Sequence, residues 1–114
     1  MRRGEIWTVA GGPDYAGKPR PVVIIQDDRF DATQSLTICP FTSDPTPAPL
    51  FRLAIEPGET NGLSAPGRLM VDKITTVPKV RLRARIGRLE DEDLVRLNRA
   101  SIVFLGLAGA SPSF

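Results

Sequence analysis

The 114-residue chain contains no histidine, and that absence excludes more chemistry than the rest of the composition admits. Without imidazole there is no Ser-His-Asp triad, no Cys-His pair, no histidine general base and no zinc site of the usual Cys and His type. Cysteine is nearly absent too. Cys39 alone cannot close an intramolecular disulfide, and within Leu36-Thr37-Ile38-Cys39-Pro40-Phe41 it reads as a small buried hydrophobe. No apolar run approaches the roughly 18 residues of a membrane span. Met1-Arg2-Arg3 meets Glu5 before any stretch of signal-peptide length, so a cytoplasmic protein with no membrane partner is expected. A surplus of one charge is also lacking: 15 Lys plus Arg face 13 Asp plus Glu, a net +2. Affinity for nucleic acid must then rest on where the cations lie. Any catalysis falls to Arg, Lys, carboxylates, Tyr or hydroxyls.

What is present is the ordinary balance of one globular domain, with 41% hydrophobic and 25% charged residues, taken here as a single domain over 1–114. Short segments rich in Val, Ile, Leu and aromatics alternate with Gly, Pro and Asp clusters, the pattern of a small antiparallel β fold. Strands are expected near 4–9, 20–26, 36–41, 50–56, 68–74 and 80–88. Pro45, Pro47 and Pro49 place 43–49 in a loop or at a sheet edge, because proline cannot donate to a ladder. One helix is expected over 90–105. Four acids, Glu90 to Asp93, occupy its first turn, Leu94, Leu97, Ser101, Phe104 and Leu105 share a face, and Gly106 stands at its stop. Residues 108–114 read as a flexible tail.

Three places carry candidate chemistry. In a strand over 79–86, Lys79, Arg81, Arg83 and Arg85 would form one cationic row, with Val80, Leu82, Ala84 and Ile86 facing the core. Such a row binds phosphate backbones, or it solubilises an exposed strand. Gly17-Lys18-Pro19-Arg20-Pro21 leads into Val22-Val23-Ile24-Ile25, so Arg20 sits on a stiff mount ahead of a buried strand. It is either a phosphate ligand or a surface charge at a turn. Thr42 and Ser43, at the end of Pro40-Phe41-Thr42-Ser43-Asp44, could bind an oxyanion or cap a turn. Trp7 could stack on a base or fill the core, and Asp72, in an otherwise apolar segment, is a site residue or the partner of an arginine.

In order along the chain, Arg3-Gly4-Glu5-Ile6-Trp7, Lys18-Pro19-Arg20-Pro21-Val22-Val23-Ile24-Ile25, Cys39-Pro40-Phe41-Thr42-Ser43, Val71-Asp72-Lys73-Ile74-Thr75-Thr76-Val77 and Ile86-Gly87-Arg88-Leu89 resemble the MazF/PemK toxin endoribonucleases. The resemblance spans about residues 2–106. It implies a mainly β fold, a small SH3-like, partly open β-barrel of antiparallel strands with a C-terminal helix, acting as a homodimer. It implies metal-independent, cofactor-free cleavage of single-stranded RNA at a short sequence, giving a 2′,3′-cyclic phosphate and a 5′-hydroxyl. It also implies a cognate antitoxin whose tail blocks the RNA groove. The family's catalytic Arg and Thr map onto Arg20 and Thr42, with Ser43 and Asp72 as assisting groups and Lys18, Lys79, Arg81, Arg83 and Arg85 as RNA ligands. Some members place an Arg two residues before the Asp; here that position is Met70. The proton acceptor is left open among Asp72, Asp14 and Tyr15, and Trp7 or Phe41 would stack on bases. A same-fold toxin that binds gyrase and a non-catalytic nucleic-acid-binding barrel are the alternatives.

Overall fold

β-branched and aliphatic residues at alternate positions favour pleated, half-buried strands, and the computed structural model, which describes residues 1–10, 19–107 and 109, contains seven among those residues. They are β1 (Glu5–Val9), β2 (Arg20–Ile24), β3 (Ser35–Thr42), β4 (Arg52–Ile55), β5 (Gly67–Met70), β6 (Thr75–Pro78) and β7 (Leu82–Arg88), followed by helix α1 (Asp91–Phe104). All pairings are antiparallel, in the order β4-β5-β3-β2-β1-β7, with β6 on the first half of β3.

Two clusters of side chains form the core. Val9, Val22, Ile24, Leu36, Ile38 and Leu82, with Trp7 and Val77 against them, come from β1, β2, β3, β6 and β7. Five strands meeting in one cluster means that this part of the sheet curls into an open barrel, with β7 and β6 at its two lips. The other cluster, including Ile6, Val23, Cys39, Leu53, Leu69, Leu89 and Leu97, lies between the opposite face and α1. Val22 and Ile24 therefore point into one core and Val23 into the other. This is why that segment reads as a continuous apolar run rather than an alternating one. Each such aliphatic side chain contributes about 1.5–3 kcal/mol on full burial.

The helix closes the second cluster and stops as its sequence foretells. Asp91, Glu92 and Asp93 sit in the first turn. Gly106 adopts φ +74, while its N–H donates to the carbonyl of Val103 and that of Leu107 to the carbonyl of Ile102. These two bonds satisfy the last helix carbonyls in a Schellman arrangement. The inward face is Leu94, Leu97 and Ala100; Phe104 and Leu105, expected on it, are exposed, and Phe104 meets only the edge of the core at the Phe51 ring.

Two expected strands are corrected. The one near 68–74 is β5 and a 3-10 turn at Val71–Lys73, with β6 following only from Thr75. Between the pairs Phe41–Leu69 and Ile38–Thr75 strand β3 advances three residues while its partner advances six, and the three-residue turn takes up the difference. The strand near 80–88 begins only at Leu82, because Lys79–Arg81 is a 3-10 turn linking the barrel's lips. Val80, expected in the core, is 81% exposed, and Ala84 is exposed on edge strand β7, whose pairing to β1 is broken by two register shifts. Lys18, Asp14, Tyr15 and all of the tail but residue 109 lie outside the described residues.

Candidate functional site

Strand register brings the first pair of site residues together. The pairs Ile24–Ile38 and Val22–Pro40 fix β2 against β3, and the same register carried two residues outward sets Arg20 opposite Thr42. Arg20 opens β2 between Pro19 and Pro21, and Thr42 ends β3, so both stand at the rim of a rigid double-covered sheet. The Thr42 hydroxyl accepts a hydrogen bond from the Asp44 N–H at 3.1 Å. With its oxygen so oriented, its own hydrogen is available to donate to a bound anion.

Arg20, Phe41 and Thr42 line two clefts. One, of about 400 Å³, runs past Pro19, Pro21, Ser43 and Ile86 to the loop 62–67. That loop is pinned to β7. A side chain on Gly62, at φ +67, would overlap the Ile86 carbonyl oxygen at 1.9 Å, and one on Gly87 would strike Asn61 and Thr60 backbone atoms at 2.5 Å. Buried Asn61 holds the same loop, its Oδ1 accepting from Gly58 and Leu63 N–H and its Nδ2 donating to the Glu56 carbonyl. The second cleft, of about 610 Å³, is the mouth of the barrel, lined by Val22, Pro40, Met70, Lys73, Thr75, Thr76 and Arg81. It offers cations and hydroxyls, with Thr76 bonded to Thr37 across the β3–β6 pair at 3.1 Å.

The cationic row does not form as one strand face. Lys79 leans onto the carbonyl of Asp31, and Arg81 donates to the carbonyl of Ala10 at 3.1 Å while lining the second cleft. Arg83 and Arg85 alternate on β7 and are exposed; Arg85 pairs with Glu5 at 3.3 Å. Burial raises the Glu5 carboxyl, but the Arg2 N–H, the Trp7 indole, Arg85 and the terminal ammonium together hold it below its usual value. Trp7, with its Nε1 on Glu5 at 3.0 Å, packs half-buried on the barrel core, and Phe41 is a core residue that only edges the clefts. Neither ring stands free as a stacking platform.

Asp72 resolves to the partner of an arginine. Arg52, which faces Met70 across the β4–β5 pair, binds it through two hydrogen bonds of 2.7 and 2.9 Å, and this holds the carboxyl below its ordinary range. An acid so engaged is a weak proton acceptor. Sequence reasoning passed over Arg52 and also Arg68, the residue paired with Thr42 on the side away from Arg20. Only strand register reveals both, although the alternation of Arg68 with buried Leu69 already marked it as outward-facing. Cys39 is fully buried; burial, and then Asp72, push its thiol up to about 12. Among the described residues no group of three Cys, Asp or Glu could hold a metal ion, and no helix is long and apolar enough to cross a membrane.

Residues 2–105 match the family described as PemK-like, MazF-like toxin of type II toxin-antitoxin system. A probable endoribonuclease MazF of Mycolicibacterium smegmatis is 59% identical over 109 residues, covering 96% of this chain and 100% of the relative. The endoribonuclease MazF9 of Mycobacterium tuberculosis is 31% identical over 116 residues, covering 94% and 98%. Among solved structures, a mycobacterial endoribonuclease in complex with its cognate antitoxin superposes with a TM-score of 0.77 at 20% identity, covering 94% of this chain and 96% of that one. A MazE-MazF complex from Deinococcus radiodurans gives 0.76 at 18%, covering 93% and 96%. At those identities the structures speak for the fold, an open antiparallel sheet with a C-terminal helix.

Proposed function

The chain belongs to the PemK-like, MazF-like toxins of type II toxin-antitoxin systems, and from that membership we propose that it is an endoribonuclease that cuts single-stranded RNA at a short sequence without a metal. The observation that carries this reading is the β2–β3 register, which sets Arg20 against Thr42 where two clefts meet. A strand of RNA laid through both clefts passes its scissile phosphate over that pair.

The 2′-oxygen attacks phosphorus, the bond to the 5′-oxygen breaks, and the products are a 2′,3′-cyclic phosphate and a 5′-hydroxyl. One proton leaves the 2′-hydroxyl and one arrives on the 5′-oxygen. Arg20 stabilises the phosphorane and shares in proton transfer, and the Thr42 hydroxyl donates to a non-bridging oxygen. Ser43 is placed to add a second hydroxyl in the first cleft. Asp72 keeps Arg52 in place rather than accepting the proton. Arg81 binds RNA in the second cleft, and exposed Arg83 and Arg85 attract its backbone along β7. Lys79 and, outside the described residues, Lys18 are further RNA ligands in this reading. The chain acts as a homodimer, silenced by an antitoxin whose tail fills the clefts. The antitoxin-bound relatives of the same fold support that partnership.

To test this, the purified protein is incubated with a long single-stranded RNA in EDTA and the ends are mapped. Discrete fragments with 5′-hydroxyl ends are expected. Binding without cleavage at high protein excess would leave only a nucleic-acid-binding barrel.

A further inference from the structure

Thr42 has two flanking strands, and the second one also supplies an arginine. In the β3–β5 pair Thr42 faces Arg68, and the β2–β3 register, carried two residues past its last pair at Val22–Pro40, sets it against Arg20. Neighbouring strands lie about 4.8 Å apart, so the two arginine backbones straddle Thr42 at about 10 Å from each other. Arg68 also shares a shallow hollow of about 160 Å³ with Thr42, Ser43 and Asp44. On its far side it faces Ala54, too small to cover it.

The charge on Arg68 is the telling feature. Arg52, Arg85, Arg88 and Arg96 all hold carboxylates within 4 Å. Half-buried Arg68 has no ion pair and no hydrogen bond among the described residues. Two acids line the same hollow, but Asp44 turns its Oδ1 to the N–H and hydroxyl of Thr46 and feels Arg68 only through space, and Glu56 makes no ion pair with it among the described residues. A guanidinium with no carboxylate within 4 Å among the described residues, standing beside an oriented hydroxyl, suits an anion that arrives with the substrate.

We propose that Arg68 is a second catalytic arginine, gripping the scissile phosphate from the β5 side while Arg20 grips it from the β2 side, with Thr42 between them. The proposal rests on the RNA-cleaving reading above and adds a residue to it. Two guanidinium groups spread the charge that builds on the non-bridging oxygens, and their placement on paired strands fixes the phosphate laterally.

The test compares the parent with Arg68→Ala and Arg68→Lys on a short RNA carrying one mapped cut, measuring kcat and KM, with thermal denaturation to confirm folding. Arg68→Ala should lose about 10- to 100-fold in kcat with little change in KM. Arg68→Lys should regain part of that loss, since it keeps the charge but not the two-pronged geometry. A folded Arg68→Ala variant with the parent's kcat would overturn the proposal, as would a loss confined to KM, which would make Arg68 a ligand of a neighbouring phosphate. Either result leaves cleavage by the parent intact; a parent that cut nothing would instead remove the reaction itself and this inference with it.

Discussion

Replacing Asn61 by Ala probes the wall of the first cleft. Asn61 is 3% exposed, and its side chain accepts from Gly58 and Leu63 N–H, each at 3.0 Å, and donates to the Glu56 carbonyl at 2.9 Å. The variant strips three backbone groups of their partner. Glu56 and Gly58 are exposed and recover much of their loss from water, whereas half-buried Leu63 recovers less. At about 1 kcal/mol per bond lost, with a small void added, the cost is about 2–3 kcal/mol. For a domain of this size that lowers Tm by about 8–15 °C. Asn61→Asp keeps an oxygen for the Gly58 and Leu63 N–H groups but turns its other carboxylate oxygen toward the Glu56 carbonyl. At neutral pH the buried, repelled carboxylate should make it at least as costly as Asn61→Ala, and less so as the new carboxyl protonates and regains a donor. Urea denaturation, with unchanged m-values, measures both. The substitution should also raise KM for RNA, because the loop beyond Asn61 lines the cleft. An Asn61→Ala protein within 0.5 kcal/mol of the parent would refute the idea that this side chain holds the loop.

The Gly62 and Gly87 contacts predict that Gly87→Ala, which meets only backbone atoms at 2.5 Å, forces the loop off β7 and lowers Tm; an unchanged melting curve would show that the loop yields freely. The Arg52 guanidinium lowers the Asp72 pKa, so the pair's stabilisation is full above the ordinary carboxylate value, about 3.9, and fades as pH falls through the depressed folded value. Asp72→Asn should therefore cost about 1 kcal/mol at pH 7 and flatten the acid limb of stability, which a pH series of denaturation curves reports. With its thiol pushed up to about 12 and no exposed surface, Cys39 should resist a thiol reagent in the native protein and react stoichiometrically in urea. Arg83→Ala should reduce the salt dependence of RNA binding more than Arg85→Ala, since Glu5 already neutralises Arg85; equal slopes would argue against that distinction.

How far the fold is legible in the sequence depends on the range of the forces involved. The helix end at Gly106 is a local event, decided by one residue's freedom at positive φ, and it reads directly. The buried character of Val22 to Ile25 is likewise written in composition. The 3-10 turn at Val71–Lys73 is not, because it exists to reconcile two pairings of β3 with segments far along the chain. The alternating Lys79 to Arg85 pattern misleads for the same reason, since alternation defines faces only within a strand, and 79–81 is a 3-10 turn. At the site, Arg20 and Thr42 stand out through their local mounts and the family resemblance. Arg68 and Arg52 require register, and the same register that reveals Arg52 removes Asp72 from the candidates for proton acceptor.

The proposed cleavage turns on the Thr42 hydroxyl meeting the phosphate opposite Arg20. The most direct test is the single-turnover rate at which Thr42→Val cuts a mapped RNA site, since valine keeps the volume and β preference of threonine and removes only the hydroxyl. A rate about 100-fold below the parent, at an unchanged melting temperature, is the predicted result; a folded variant that cuts at the parent's rate would contradict it.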